Sequence, residues 1–250
     1  MRFISYLANP ARFQRFSRIA TPVSGWLALA LIGAGLAFAL FLSPPAEEHG
    51  EAVRMLYVHV PAAWCAMLAY TAIGIASFIS FIWRHNLADS VAKSLALPGT
   101  AFTFLALVTG SLWGRPAWGT WWQWDGRMTS VLVLLFIYIG YMAVWNIISD
   151  RRLAARLAAN LAMVGLINIP IIKFSVTWWN TLHQPATISE PSAPGLPMEL
   201  LTPLLLMTLG YMALLAWLTL RGTEADLVAM KAQRASNAKP ATVTLEDVDS

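Results

Sequence analysis

Six long apolar segments constrain the fold of this chain more than any other feature of its sequence. Each is long enough to cross the hydrocarbon core of a bilayer as an α-helix, which takes about 20 residues. The segments are residues 23–42, 62–83, 94–113, 128–148, 153–174 and 199–220. The fifth segment is the least apolar, because it contains Arg156, Asn160, Asn168, Pro170 and Lys173. The pattern predicts an all-α, polytopic membrane protein with six transmembrane helices.

The composition supports this interpretation and excludes several classes of protein. Hydrophobic residues make up 58% of the 250 residues and charged residues 12%, against about 45–50% and about 25% in an average soluble domain. A disordered chain, a nucleic-acid-binding module and an ordinary cytosolic enzyme are therefore excluded. The single cysteine, Cys65, excludes both an intrachain disulfide and a CxxC redox site.

The distribution of basic residues predicts the orientation of the chain, since cytoplasmic loops carry an excess of Lys and Arg. Thirteen of the 17 basic residues fall on one side of the six segments. We therefore predict that the N and C termini are both cytoplasmic. Loops 43–61, 114–127 and 175–198 then face outward.

Three regions follow from this topology. Residues 1–22 mix aromatic residues with arginines and form a cytoplasmic or interfacial segment. Residues 23–220 form the transmembrane domain. Residues 221–250 are polar and of mixed charge, and we predict that they form a flexible cytoplasmic tail.

Eight consecutive residues in the second outward loop, WGTWWQWD, contain four tryptophans. Tryptophan is common at both membrane interfaces, so an interfacial belt is one interpretation of this motif. A belt does not explain a dense cluster on one face, whereas four large apolar side chains suit a flat, mostly apolar ligand. These side chains belong to Trp118, Trp121, Trp122 and Trp124. Gly119 leaves room for a turn or a close approach, and Asp125 is placed to cap the following helix.

Two of the four histidines belong to the same predicted face. His59 lies in YVHVPAAW at the outer edge of the second segment, and His183 lies in WWNTLHQPAT after the fifth. A single histidine of this kind is ordinarily a hydrogen-bonded loop residue. Two of them beside a tryptophan cluster suit an aromatic macrocycle with a central metal, such as haem, which takes axial imidazoles and apolar ring contacts. His49 is interpreted as a solvated loop residue and His85 as a cytoplasmic one.

Three arginines on the outward face are candidates for binding the two propionates of a haem. They are Arg54, Arg115 and Arg127. Guanidinium groups pair well with carboxylates, and outward arginines are the minority in a membrane protein. Arg127 has the alternative roles of an ion-pair partner for Asp125 or an interfacial anchor.

The tryptophan motif resembles the WWD signature of the haem-handling proteins that serve cytochrome c biogenesis. The segments HVPAAW and WWNTLHQP resemble the two histidine motifs that flank it in that family. Six spans in 250 residues, with one WWD loop between the third and fourth, are similar to the haem exporter protein C (CcmC) family of the bacterial system I pathway. The resemblance covers residues 23–220, and the extra Trp122 is its one visible departure.

The resemblance implies a set of site residues, a cofactor and partners. His59 and His183 are the axial ligands of haem b in this reading, and the WWD residues contact the ring. Those residues are Trp118, Gly119, Trp121, Trp122, Trp124 and Asp125. The implied partners are the haem chaperone CcmE, the ATPase CcmA and the subunits CcmB and CcmD. The haem site is expected to face the periplasm from the bacterial inner membrane.

No catalytic residue is predicted, and two other function classes stay open. The sequence contains no phosphate-binding loop, so any ATP hydrolysis belongs to a partner. A membrane cytochrome that transfers electrons would usually hold its haem between spanning helices rather than beside loops. A solute permease would be expected to show sequence repeats and polar sites near the midplane. A system II-like haem-handling protein, or a transporter of haem or another solute, is the remaining alternative.

Overall fold

The computed structural model describes residues 9–46, 50–179 and 196–237. Within these ranges the chain is helical and forms no β-strand. The α-helices in chain order are α1 (Pro10–Ala37), α2 (Leu56–Trp83), α3 (Asn86–Trp118), α4 (Gly126–Ile147), α5 (Arg151–Gly165), α6 (Asn168–Trp178) and α7 (Met198–Asn237). A π-helical turn, Phe38–Leu42, follows α1, and a 3-10 turn, Glu51–Met55, precedes α2.

In the described part of the chain, six helical stretches are long and apolar enough to cross a membrane. They are Pro10–Leu42, Glu51–Trp83, Asn86–Trp118, Gly126–Ile147, Arg151–Trp178 and Met198–Asn237. Each contains most of one predicted segment, so the prediction of an all-α membrane protein with six spans is confirmed.

Side chains at the short connections begin several of these helices. Asn9 caps α1 by accepting a hydrogen bond from the backbone N–H of Ala11 at 2.9 Å. His85 caps α3 through Nδ1, which lies 3.2 Å from the N–H of Ala88. Asp150 caps α5 by accepting from the N–H groups of Leu153 and Arg152, and these bonds lower the pKa of its carboxyl. Polar residues outside the apolar segments therefore fix where the helices start.

Four fully buried tyrosines belong to the hydrophobic core: Tyr57, Tyr70, Tyr138 and Tyr141. The rings of Tyr70 and Tyr138 meet edge to face with centroids 5.1 Å apart. The hydroxyl of Tyr138 donates to the carbonyl of Ala66 at 2.8 Å, and that of Tyr70 donates to the carbonyl of Ala162 at 3.3 Å. These bonds join α2, α4 and α5 and satisfy polar atoms that burial would otherwise penalise.

The first and last spans pack against each other along their length. A Cβ on Gly25 would lie 3.0 Å from the indole of Trp217, and a Cβ on Gly35 would lie 2.8 Å from the side chain of Met207. Glycines on α1 thus let its backbone approach α7 closely, as small residues do between membrane helices.

The predicted flexible tail is helical as far as Asn237, so that prediction is wrong for residues 221–237. Thr223 and Leu227 are buried there. The carboxylate of Asp226 lies 2.6 Å from the guanidinium of Arg151 and 3.0 Å from Nζ of Lys93. These tertiary contacts hold the polar end of α7 on the bundle. Residues 238–250 lie outside the described part of the chain.

The N-terminal segment also differs from its predicted form. α1 runs unbroken from Pro10 through the predicted start of the first span, and Pro22 lies inside it. Phe13 packs with Leu87 and Leu227 in a small second cluster. Residues 10–22 therefore extend the spanning helix instead of forming a separate element.

The fifth span consists of two helices with a break between them. α5 ends at Gly165 and α6 begins at Asn168. Pro170 has no N–H to give to the carbonyl of Leu166, which interrupts the helical ladder. The side-chain amide of Asn168 donates to the carbonyl of Ser130 at 2.9 Å and ties the start of α6 to α4.

The orientation of the bundle stays a prediction with a direct test. Cys65 is buried, so single added cysteines can be labelled with little background. A cysteine at the exposed Gln123 is expected to react with a membrane-impermeant maleimide in intact spheroplasts. The matched variant Arg152→Cys, at the opposite end of the bundle, is expected to react only after permeabilisation. The reverse pattern would place the tryptophan motif on the cytoplasmic side.

Candidate functional site

The tryptophan motif starts in a helix and ends at a helix cap. Trp118 is the last residue of α3. Gly119 has φ +77° and ends that helix, with its N–H bonded to the carbonyl of Arg115 at 3.0 Å. α4 begins at Gly126. The predicted loop 114–127 is therefore too long, since residues 114–118 and 126–127 are helical, and the irregular part is 119–125.

Hydrogen bonds from neighbouring polar groups fix the path of this short loop. Ser111 donates to the carbonyl of Trp121 at 2.7 Å, and Thr120 donates to the carbonyl of Trp122 at 3.0 Å. The guanidinium of Arg115 donates to the carbonyl of Gly119. A loop held in this way presents its side chains in one arrangement.

Asp125 caps α4, as its position in the sequence predicts. Its Oδ1 accepts a hydrogen bond from the backbone N–H of Met128 at 2.8 Å, and the residue is 7% exposed. A buried carboxylate at a helix N-terminus is stabilised by the helix dipole as well as by the hydrogen bond. The end of the tryptophan loop is thus anchored to a spanning helix.

We call the four tryptophans of the motif, Trp118, Trp121, Trp122 and Trp124, the tryptophan shelf. Trp121 and Trp124 are 54% and 74% exposed, whereas the other two are half-buried. The rings of Trp122 and Trp124 meet edge to face with centroids 5.3 Å apart. Two indoles of the shelf are therefore open to a ligand or a partner, and two are partly covered by the protein.

His59 lies in the first turn of α2, so the expectation of a loop histidine is wrong for this residue. The 3-10 turn and the start of α2 make residues 51–60 helical, where the sequence predicts loop. The half-buried imidazole places Nδ1 3.0 Å from the carbonyl oxygen of Ala106 and 3.1 Å from the hydroxyl oxygen of Thr109. The ring of Trp113 meets it edge-on with centroids 6.0 Å apart.

One stretch of α3 therefore contacts both His59 and the tryptophan shelf. Ala106, Thr109 and Trp113 contact the imidazole, and Ser111 and Arg115 hold the loop. His59 on α2 and the backbone of the tryptophan loop are therefore both held by residues 106–115 of α3.

His183 and His49 lie outside the described residues, so their positions stay predictions. The described chain reaches Trp179, whose ring lies 3.0 Å from the position of a Cβ on Gly126. Trp179 thus packs on the first residue of α4, next to Asp125. His85, which we set aside, caps α3 at the opposite end of that helix.

The three candidate arginines differ in their surroundings. Arg54 donates to the carboxylate of Glu51 at 2.6 Å and to the carbonyl of Ala39. Arg115 is exposed beside the shelf. Nε of Arg127 is buried and has no hydrogen-bond acceptor among the described residues. The structure brings Arg115 and Arg127 to the ends of the tryptophan loop, while Arg54 ties the turn before α2 to the end of the first span.

Comparison with known proteins identifies the family. The family model described as Heme exporter protein C matches residues 3–238. The chain belongs to the haem exporter protein C family. Heme exporter protein C of Bradyrhizobium diazoefficiens is 47% identical over 225 residues, which are 89% of this chain and 84% of that protein. That of Escherichia coli K12 is 42% identical over 231 residues, covering 91% and 92%. A putative cytochrome c biosynthesis ccmC-like mitochondrial protein of Marchantia polymorpha is 40% identical over 197 residues, covering 79% and 83%.

The residues of α3 that contact His59 are the part of the site that sequence reasoning missed in this member of the haem exporter protein C family. Ala106, Thr109 and Gly110 lie in an apolar segment and look like any other residues of a spanning helix. One signal was available, because Gly110 and Gly114 are four residues apart and so share a helix face. Small residues at that spacing indicate close contact with another helix in a membrane.

Proposed function

We propose that this member of the haem exporter protein C family binds haem b at the periplasmic face of a bacterial inner membrane and delivers it to the chaperone CcmE. It would do so within a complex that also contains CcmA, CcmB and CcmD. The observation that supports this proposal most is that one stretch of α3 contacts both His59 and the tryptophan loop. Family membership supports haem as the ligand and cytochrome c maturation as the pathway.

The donor set around His59 fits a haem iron. Nδ1 of the imidazole faces a carbonyl oxygen, which can accept a hydrogen bond but cannot donate one. The neutral ring then has its basic lone pair on Nε2, the atom that would bind iron. Histidines that bind metals commonly use their other nitrogen in this way. Across the described ranges no cluster of three histidine, cysteine or acidic side chains forms a further metal site.

His183 is the proposed second axial ligand. The segment that contains it follows Trp179, which packs on Gly126 at the end of the tryptophan loop. Two axial imidazoles would hold the iron by coordination alone. Cys65 is buried in the core and so is not placed to form a covalent bond to a haem at this face. Coordination and ring contacts are both non-covalent, so the bound haem could be released to a partner.

The polar groups at the ends of the loop suit the edge of a haem. Arg115 and Arg127 are proposed to pair with the propionates, and the unsatisfied Nε of Arg127 supports this role. Arg54 is the third candidate, although part of its donor capacity is already used. The exposed indoles of Trp121 and Trp124 are proposed to contact both the ring and CcmE.

An absorbance experiment distinguishes this proposal from the other function classes. The protein purified in detergent after haem-replete expression is expected to show a low-spin Soret spectrum. We expect the protein to lose its haem when CcmE is added. It should retain its haem when an unrelated, haem-free soluble protein is added instead as a control acceptor. A protein that bound no haem would refute the proposal. A haem that cycled between oxidation states with soluble donors and never left for CcmE would instead favour an electron-transfer cytochrome.

A further inference from the structure

The imidazole of His59 contacts a small set of groups on α3. Its Nδ1 lies between the carbonyl oxygen of Ala106, at 3.0 Å, and the hydroxyl oxygen of Thr109, at 3.1 Å. The Thr109 hydroxyl lies 2.7 Å from the carbonyl of Leu105 on its own helix and donates its proton there. Its lone pairs are therefore the part that faces His59.

Both partners of Nδ1 act as hydrogen-bond acceptors. A carbonyl oxygen has no proton, and the hydroxyl proton of Thr109 is directed to Leu105. Nδ1 must therefore donate, which places the ring proton on Nδ1. The opposite tautomer would set the Nδ1 lone pair against a carbonyl oxygen in a half-buried position, and an unsatisfied contact of this kind is costly.

Gly110 allows the ring to reach these two oxygens. A Cβ at this position would lie 2.9 Å from Cε1 of His59 and 3.4 Å from Nδ1. The first distance is shorter than carbon atoms normally approach, so a side chain here would push the imidazole away from Ala106 and Thr109. Trp113 contacts the ring edge-on and limits where it could move.

We propose that Ala106, Thr109 and Gly110 form a cradle that fixes the Nδ1–H tautomer of His59 and orients Nε2 toward the ligand face. These are positioning residues, and they act through His59. The inference rests on the proposed function only in taking Nε2 as the atom that binds iron. The cradle also makes Nε2 a stronger electron donor to iron, because a hydrogen bond from Nδ1–H increases the basicity of Nε2.

The tautomer can be measured without haem. Nitrogen NMR of the haem-free protein, labelled with 15N in its four histidine rings, distinguishes protonated from unprotonated ring nitrogens. A His59→Asn variant assigns the signal. In the wild-type protein we expect His59 to have a protonated Nδ1 and an unprotonated Nε2. A wild-type His59 with its proton on Nε2 would overturn the inference.

Three variants test the cradle. Gly110→Ala is expected to convert the single tautomer into a mixture, and Thr109→Val is expected to do so to a smaller extent. Thr109→Ser keeps the hydroxyl and should restore the wild-type signal. Thr100→Val is the matched control. The hydroxyl of Thr100 donates to a carbonyl of its own helix, that of Ala96, at 2.7 Å, and it does not contact His59. If Gly110→Ala does not fold, the comparison of Thr109→Val with Thr109→Ser tests whether the cradle fixes the tautomer. A wild-type tautomer in both Thr109→Val and a folded Gly110→Ala would contradict the cradle.

Haem affinity and the reduction potential of the haem-loaded protein provide a second test of the cradle. We expect Gly110→Ala to retain haem roughly 10–100-fold less tightly, as is typical when the group behind a metal-binding histidine is lost. Thr109→Val is expected to raise the reduction potential of the haem, because a weaker donor stabilises the ferric state less, while Thr109→Ser leaves it unchanged. An unchanged potential in Thr109→Val would contradict the cradle. If no haem bound at all, the proposed function would fail, whereas the tautomer of His59 would still be measured in the haem-free protein.

Discussion

Replacing His59 or His183 by alanine is expected to convert a six-coordinate, low-spin haem into one with an open or water-filled position. The Soret band should shift, and haem retention should fall by roughly 100-fold or more. Loss of an axial bond should lower haem affinity more than loss of the group that hydrogen-bonds to the ligand histidine, and that loss alone lowers metal affinity about 10–100-fold. Absorbance spectra and haem titration of the purified variants measure both effects.

His85 provides the control for this experiment. It caps α3 through Nδ1 at the end of the helix far from the tryptophan shelf. His85→Asn keeps a capping acceptor and should leave the spectrum and the retention unchanged. Unchanged spectra in both His59→Ala and His183→Ala would remove these residues as ligands, and His49 would then be the remaining outward histidine to test.

Substitutions on the tryptophan shelf are expected to separate haem binding from haem delivery. Trp121→Ala or Trp124→Ala should weaken binding only several-fold, since one aromatic contact contributes about 0.5–1.5 kcal/mol beyond area burial. Transfer to CcmE should fall sharply, because it depends on how the haem is oriented and on the exposed indoles that the partner can reach. Co-expression with CcmE and measurement of the haem on each protein test this expectation.

Asp125→Asn and Trp83→Ala extend the test of the shelf. Asn keeps an oxygen for the N–H of Met128, so a loss of transfer in folded Asp125→Asn would point to the charge of the carboxylate. Trp83 is 65% exposed at the other end of the bundle and represents an ordinary interfacial tryptophan. If Trp83→Ala and Trp124→Ala transferred haem equally well, the shelf would be only an interfacial belt.

The spans could be predicted from the sequence because apolarity is a local property. The ends of two helices could not, because contacts between distant residues determine them. The last turns of α7 are polar, and they are helical because Asp226 pairs with Lys93 and Arg151. The first turns of α1 are held by Phe13 against Leu87 and Leu227. No window of neighbouring residues contains these pairings.

The candidate site divides in a similar way. His59 and the tryptophans stood out because those residue types are rare and have distinctive chemistry. Thr109 and Gly110 did not, because their role depends on how α2 packs on α3, which places them against His59. The capping role of Asp125 was visible because a cap is defined by residues next to it in sequence. His183 and the orientation of the bundle stay predictions.

The pairing of α1 with α7 has a consequence for biosynthesis. α1 is synthesised before α7, so Gly25 and Gly35 leave the ribosome well before Met207 and Trp217, which cover them. During that interval the glycine face of α1 lies against lipid or other helices. A nascent chain that lacks α7 keeps that face without its partner, so α1 reaches its final packing only after α7 has been inserted.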